Sequence, residues 1–359
     1  MPRRFRSCRR TPLIALALPA AMLLLAACSG GQSEVLPTTV SSPLPTPRGW
    51  MLSSGHSFGQ GLLATRLPGG QPRRMDLPND SVVFAARWAE PGKTAYAFVQ
   101  PNGDRHAVQL VRVALDGPPR AVGARLENVS ATAVVSAADS VGGVFMAATC
   151  AHATGWVDVM AGGESMWRRV APGCRATLSP DGRTVAFSDD GHTVQTVPAA
   201  GGTPATAFDS SAIPAVTSAG LAGARIQDMA WGEAGIGVVL HRGRSYAVLI
   251  HTEHGDHLAR VPGVPSFVGA LRWRPSGPLL AVATFFGGQG SIMRAIDART
   301  GDIRVLATDP RGLGGTVWSP DGSLLASLDS RGAWIFVDGN GNRATLVPVD
   351  NELPFDWGT

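Results

Sequence analysis

One twelve-residue stretch, Val317-Trp318-Ser319-Pro320-Asp321-Gly322-Ser323-Leu324-Leu325-Ala326-Ser327-Leu328, constrains the fold more than any other, because weaker copies of it recur along the chain. An apolar run ends in Trp318, Pro320 fixes φ at the first corner of a turn, Asp321 and Gly322 accept the remaining turn dihedrals, and a second apolar run returns. Related corners are Leu178-Ser-Pro-Asp-Gly182, Trp273-Arg-Pro-Ser-Gly277, Trp88-Ala-Glu-Pro-Gly92 and, without the proline, Trp231-Gly-Glu-Ala-Gly235. Anchors at 178, 231, 273 and 318 stand 53, 42 and 45 residues apart. Self-similarity at this period marks a propeller or a solenoid, and each unit has room for about four short strands, the content of one propeller blade.

Taken in order, residues 50–78 supply three strands with no preceding Trp-corner strand. Blades follow at about Val82–Val122, Asn128–Val170, Arg175–Phe208, Ile226–Val261, Phe267–Ala307 and Gly315–Val347. Blade three is placed by spacing, with its corner expected at Ala137-Ala138-Asp139-Ser140. The final run, Leu353-Pro-Phe-Asp-Trp357, ends in Trp 39 residues after Trp318 and reads as the missing first strand. The expectation is an all-β, seven-bladed β-propeller over residues 49–359, closed by its C-terminal strand; six or eight blades fit the spacing less well. Closure removes the open sheet edges that template aggregation.

The N-terminus sets the compartment. Arg3, Arg4, Arg6, Arg9 and Arg10 precede an apolar segment from Leu13 to Ala27, and Leu25-Ala26-Ala27-Cys28 follows. This pattern resembles a bacterial lipoprotein signal in residues 1–27, which implies that Cys28 is lipidated and becomes the mature N-terminus. Residues 28–48, rich in Ser, Thr, Pro and Gly, read as a disordered tether that spans roughly 60 Å when fully extended. The expected location is the extracytoplasmic face of the cell membrane. The formal charge of +4, less the five signal arginines, becomes −1, so the pI near 9.2 carries no footprint for nucleic acid. Two cysteines remain in the exported part, Cys150 and Cys174, and a disulfide between them is expected.

The corners Leu178–Gly182, Trp318–Gly322 and Trp273–Gly277, with Ile296-Asp-Ala-Arg-Thr-Gly301, resemble the TolB-like and WD-repeat-like propellers of bacterial envelopes, over about residues 82–347. The chain is also similar to the propeller half of actinobacterial envelope lipoproteins that accompany sensor kinases. The resemblance implies protein binding or scaffolding more often than catalysis. The expected tether running straight into the first blade departs from TolB, whose propeller follows an α/β domain.

Strand alternation puts the second turn of each blade on the same face as the crossover to the next blade, here called the upper face. It collects His56, His106, His152, His192 and His241, with Arg105, Arg242, Arg244, Arg331, Phe285 and Phe286. These form a candidate partner-binding rim for an unidentified envelope protein or cell-wall component, set against the plainer reading that solvated turns carry His and Arg without purpose. The crossover Asp209–Arg225 is expected on this face, partly covering the channel mouth. His251-Thr-Glu-His254-Gly-Asp-His257 is rich in potential metal ligands, but it aligns with the turns at Asp297–Gly301 and Asp338–Asn342 and reads as a hairpin. Asp338-Gly-Asn-Gly-Asn342 departs from a calcium loop at Arg343 and Val349. No nucleophile elbow, phosphate loop or dinucleotide fingerprint is present. The corner tryptophans, Trp88, Trp231, Trp273, Trp318 and Trp357, are expected to pack between blades.

The expectation is therefore a monomeric, non-catalytic, lipid-anchored scaffold with no metal, no cofactor and no nucleic-acid partner. The alternative is a metal-dependent propeller hydrolase or lyase acting on an envelope sugar or lactone. Replacing Cys28 by Ala should release the full-length protein from membranes on fractionation; retention in the membrane pellet would contradict the lipid anchor.

Overall fold

The computed structural model describes residues 44–359 apart from 55–60, 79–80, 102–106, 127–132, 142, 152–153, 288–289, 311 and 350–352. The signal, Cys28 and most of the tether lie outside the described residues. So do His56, Arg105, His106 and His152 of the expected rim.

Among the described residues, twenty-eight strands form seven four-stranded antiparallel sheets. Blade one is built from both ends of the chain, in the order Pro354–Gly358, Gly49–Ser54, Leu62–Leu67, Arg73–Met75. The other six are sequential meanders whose first strands are Val82–Glu90, Ala133–Val141, Arg175–Leu178, Arg225–Gly232, Phe267–Trp273 and Leu313–Trp318. The expected seven-bladed architecture and its closing C-terminal strand are both present. The blade three corner is a correction: its first strand continues through Val141, which pairs directly with Val144, so the chain turns back there and not at Ala137–Ser140. Ala137 and Ala138 carry no turn chemistry that would end a strand, whereas the sequence between Val141 and Val144 is Gly-Gly.

The proline corners form because each satisfies its own polar groups. At Ser319–Leu324, the Ser319 hydroxyl donates to Asp321 Oδ1 (2.6 Å), the Ser323 amide donates to the same oxygen (3.0 Å), and the Leu324 amide donates to Ser319 Oγ (2.9 Å). Ser179–Thr184 repeats this set at 2.6, 3.0 and 2.9 Å. Gly182 and Gly322 close the corners at φ +70° and +69°, where a Cβ would be strained. The Ser319 and Ser179 hydroxyls, with the following amides, hold Asp321 and Asp181 below the ordinary carboxylate range.

Blades are joined near the corners by tryptophan. Trp273 donates its indole N–H to Ala230 O and Trp318 donates to Arg272 O, each at 3.0 Å and each onto the first strand of the preceding blade. Trp88 donates to Trp50 O of blade one (3.0 Å). Gly232 makes room for this packing, since a Cβ there would lie 2.3 Å from the Trp273 ring. The corner tryptophans therefore do pack between blades.

Closure also uses a tryptophan, here bonded within blade one and packed on blade seven. Trp357 is buried, meets Phe336 edge-on at 5.3 Å, and donates to Arg48 O at 2.8 Å. One core joins Met51 and Leu67 of blade one to Leu324, Trp334 and Phe336 of blade seven around it. Both chain ends of the propeller thus meet at the corner face, opposite the rim.

The Cys150–Cys174 disulfide is formed, with Cα atoms 5.1 Å apart. It joins the second strand of blade three (Val144–Ala151) to the crossover into blade four. Gly155 is required beside it, because a Cβ there would come within 2.6 Å of Cys174 Sγ and 2.7 Å of Gly173 O.

The crossover to blade five holds a 3-10 turn (Ser210–Ala212) and a short helix (Pro214–Ser218). Ile213, Val216, Leu221 and Ala224 sink into the core between blades four and five. This corrects the expected cover for the channel mouth: the segment is apolar enough to be drawn into that seam, and no residue of 209–225 lines the axial cavity.

Trp357→Ala should lower the unfolding free energy by about 3–5 kcal/mol, the range for a large buried aromatic, and should remove hydrogen-exchange protection from the 50–54 amides first. Unchanged protection there would contradict the closing role of the C-terminal strand.

Candidate functional site

The first strands of the seven blades surround a cavity of about 560 Å³ on the propeller axis. Its charged lining comes from four blades: Asp356 of blade one, Arg87 of blade two, Asp228 of blade five and Arg272 of blade six. Arg175 of blade four stands close enough to Asp228 to act on its charge. Phe84, Phe98, Phe355, Trp231 and Trp273 add aromatic surface.

Strand alternation explains the convergence. Residues two apart on a strand share a face, so a residue just before the corner position turns to the axis when the corner residue packs sideways. That position holds Arg87, Thr177, Ala230, Arg272, Val317 and Asp356, all in the lining, and Ser140 beside Val141 supplies it in blade three. Asp228 and Arg175 lie two residues further back on their strands.

Bulges refine the aim. Register slips between the first and second strands of six blades leave Phe84, Ser136, Gln227, Ala270–Leu271, Gly315 and Phe355 as the extra residues. A bulge bends and twists its strand and redirects the side chains beside it. In blade seven the bulge residue is Gly315 at φ +55°; in blade six the equivalent residue is Ala270, also at φ +55° and the only non-glycine with positive φ among the described residues. An L residue there costs about 1–2 kcal/mol, so the cavity wall stores strain two residues from Arg272.

The two carboxylates are held on the wall by backbone donors. Asp228 accepts from the amides of Met229 (2.9 Å) and Leu271 (3.4 Å), bridging blades five and six. Asp356 accepts from the Trp88 amide (2.8 Å), bridging blades one and two. Each keeps part of its surface open to the cavity while protein surrounds it laterally. Burial raises both pKa values above the ordinary carboxylate range, outweighing Arg272 and Arg175 at Asp228, and Arg87 and Arg272 at Asp356. Arg87 donates to Ser140 O of blade three, and Arg272 Nη1 donates to Leu271 O (2.9 Å). Arg272 is the shared cation, because both carboxylates feel it.

The upper rim is put together differently. His192 donates Nδ1–H to Ala224 O (2.9 Å). His241 donates Nε2–H to Gly243 O (2.8 Å), accepts at Nδ1 from the Gln227 amide (3.0 Å) and stacks on Tyr246 at 4.2 Å. Arg242 donates to Gly220 O (3.2 Å). Arg331 forms a two-point pair with the buried Asp329 at 2.7 and 3.0 Å. Phe285 tilts against Phe267 at 5.8 Å, and Phe286 lies 5.9 Å from the Arg294 guanidinium. Arg244 is exposed. The described rim residues therefore lie in four turns, those of blades four to seven, and most are engaged in local bonds.

The His251–His257 segment is a hairpin, as its alignment with the neighbouring turns implied. His251 and Asp256 pair across the strands at 2.8 Å, with His251 stacked on Phe208 at 4.6 Å. His254 extends into solvent beside Glu253 (3.3 Å). Among the described residues, no three His, Cys, Asp or Glu side chains converge in a manner that could hold a metal ion.

No family model matches the chain, and no curated protein matches it. Solved structures do share its fold. A 6-phosphogluconolactonase-like protein of Bacteroides uniformis is 12% identical, with TM-score 0.56 over 87% of this chain and 98% of that one. AztD of Citrobacter koseri is 11% identical, with TM-score 0.51 over 86% and 97%. TolB of Acinetobacter baumannii is 12% identical, with TM-score 0.45 over 86% and 82%. The first two likenesses show the fold. The chain is a β-propeller.

Opposite shifts at different carboxyls give opposite predictions. Asp228 carries a raised pKa, so the folded state binds its proton more tightly than the unfolded state, and stability from this group falls as pH rises through its titration. Asp329 is the reverse. Burial opposes its ionisation, but the Arg331 guanidinium and the Ala333 and Arg331 amides outweigh burial and lower its pKa, giving stability that is lost as pH falls. In urea unfolding near neutral pH, Asp228→Asn should be neutral or stabilising and Asp329→Asn should cost about 1–3 kcal/mol through its lost hydrogen bonds. A destabilised Asp228→Asn would show that its charged form is the one the fold requires.

Proposed function

We propose that this chain is a lipid-anchored, extracytoplasmic propeller of the bacterial cell envelope that binds a ligand in its axial channel without transforming it. The observation that carries the reading is the convergence of Arg87, Asp228, Arg272 and Asp356, from four different blades, on one cavity. Asp228, Asp356 and Arg87 also bond to neighbouring blades, yet all four charged side chains keep open surface on the cavity, and a cavity of this size lined by aromatic and convergent polar groups is the usual form of a ligand site. A protein or cell-wall component of the envelope is the partner class, in keeping with the lipoprotein-like N-terminus and the resemblance to envelope propellers.

A second reading rests on Asp228 and Asp356. Carboxyls kept protonated above their ordinary range inside a cavity are suited to proton transfer, which favours a hydrolase or lyase working from the channel. The metal-dependent form of that alternative draws less support, since both ring nitrogens of His241 are already bonded.

Photo-crosslinking of the full-length protein in its native membrane tests the binding reading. A crosslinker at position 84, on the cavity wall, should give a discrete adduct with an envelope component, and one at position 244 on the rim should give none. Adducts from 244 with none from 84 would move the binding surface to the rim.

A further inference from the structure

We propose that the axial channel takes a neutral saccharide, with the open aromatic rings near its upper end stacked on a face of a sugar ring and the charged groups of the wall bonded to its hydroxyls. This rests on the channel being the binding site and names the chemistry of what enters it.

Among the described residues, the charged lining of the channel balances: Arg87 and Arg272 stand against Asp228 and Asp356. Arg272 acts on both carboxylates and Arg87 on Asp356, so the wall has no charge left over for a ligand to neutralise. A charged ligand would bring an uncompensated charge into a space walled by protein, which is costly. A purely apolar one would leave the open polar groups without partners. Hydroxyl groups avoid both costs, because each one donates and accepts and can bond beside ion pairs that stay intact.

Acceptor capacity remains on the wall. Asp228 takes the Met229 amide on Oδ1 (2.9 Å) and the Leu271 amide on Oδ2 at only 3.4 Å. A carboxylate has about four lone-pair sites, more than these two amides use. Thr177, from blade four, adds a hydroxyl to the same lining.

Open aromatic rings supply the other half of the match. Phe84, on the first strand of blade two, is 37% exposed and lines the channel. Phe267 opens the first strand of blade six and is 48% exposed. Gly269 lets the Phe267 ring lie beside a carboxylate, since a Cβ there would stand 2.6 Å from that ring and 3.4 Å from Asp228 Oδ2. Phe285 braces the ring from behind, with centroids 5.8 Å apart. Trp231, Trp273 and Phe355, each half-buried, continue the aromatic lining. A sugar ring presents C–H groups on its faces and hydroxyls around its edge. The negative face of an aromatic ring attracts the first, and a neighbouring carboxylate accepts from the second.

The test is an array of neutral hexose, pentose and N-acetylhexosamine oligosaccharides, with uronic-acid and phosphorylated glycans on the same surface, probed with the full-length protein in detergent. Neutral glycans should be retained and acidic ones should not. Retention should be the same in about 50 mM and about 500 mM salt, because no ion pair forms between protein and ligand. Calorimetric titration with the best-retained oligosaccharide should show Phe84→Ala and Phe267→Ala each weakening affinity by roughly threefold to tenfold, the worth of one aromatic contact. Arg244→Ala, on the exposed rim, should leave affinity unchanged, and thermal midpoints should report that all three variants remain folded. Retention of acidic glycans alone, or binding that falls steeply with salt, would overturn the neutral saccharide. Neutral-glycan binding that is unchanged in both phenylalanine variants would put the saccharide outside the channel and overturn the proposal as well. No retained glycan, with adducts from a crosslinker at position 84 intact, would overturn the saccharide alone and leave the channel reading standing; loss of those adducts too would overturn both.

Discussion

An indole N–H donated to a carbonyl of the neighbouring blade is the contact on which the rest of this structure depends. Trp273 makes it to Ala230, Trp318 to Arg272 and Trp88 to Trp50, while Trp357 donates within blade one, to Arg48 O, where the two ends of the propeller meet. Each such bond removes a polar group from solvent and fixes the angle between adjacent sheets, with the ring filling space that Gly232 leaves open. Because the indole packs sideways, the residue before it has one direction left, toward the axis. Interblade packing and channel lining are two outcomes of the same strand alternation.

That link explains why charge collects in the centre of a β-rich domain. The second strands are apolar and buried between sheets, as in Leu324-Leu325-Ala326 and Val238-Val239-Leu240. The position facing the axis keeps open surface, and the chain uses it for Arg87, Arg272 and Asp356. Backbone amides from the adjacent blade hold Asp228 and Asp356, so these carboxylates are part of the ring and not loose side chains. Strain at Ala270 lies on the same wall, where blade seven relaxes the equivalent residue as Gly315. An unrelieved left-handed alanine beside a charged cavity fits a wall shaped by more than packing.

Much of the fold was legible in the sequence because its corners are chemically self-contained. Ser-Pro-Asp-Gly satisfies its own hydroxyl, carboxylate and amides, so the same residues give the same turn wherever they occur. Blade three was legible only by spacing, and its corner was misplaced by a few residues because Asp139-Ser140 resembles turn chemistry while the strand in fact continues to Val141. The disulfide was legible because strand order alone brings Cys150 and Cys174 to one face. The channel was not. Its lining residues are scattered between 84 and 356, and a turn-by-turn reading looks at the loops, where His and Arg stand out, and passes over the strands. A signal was available: Arg87, Arg272 and Asp356 each interrupt an apolar strand immediately before its tryptophan. Side chains that break the apolar pattern at a repeated position deserve more weight than polar residues in turns, whose charge the solvent accommodates freely.

The proposed function puts a ligand on the axis of this propeller, gripped by side chains contributed from opposite parts of the ring. Native mass spectrometry of the full-length protein, released gently from the cells that produce it, checks for that ligand. A bound species of discrete mass is expected in the wild type, retained in Arg244→Ala and absent from the Arg87→Ala, Arg272→Ala double variant. A species carried equally by the double variant, or lost only when the rim is altered, would contradict it.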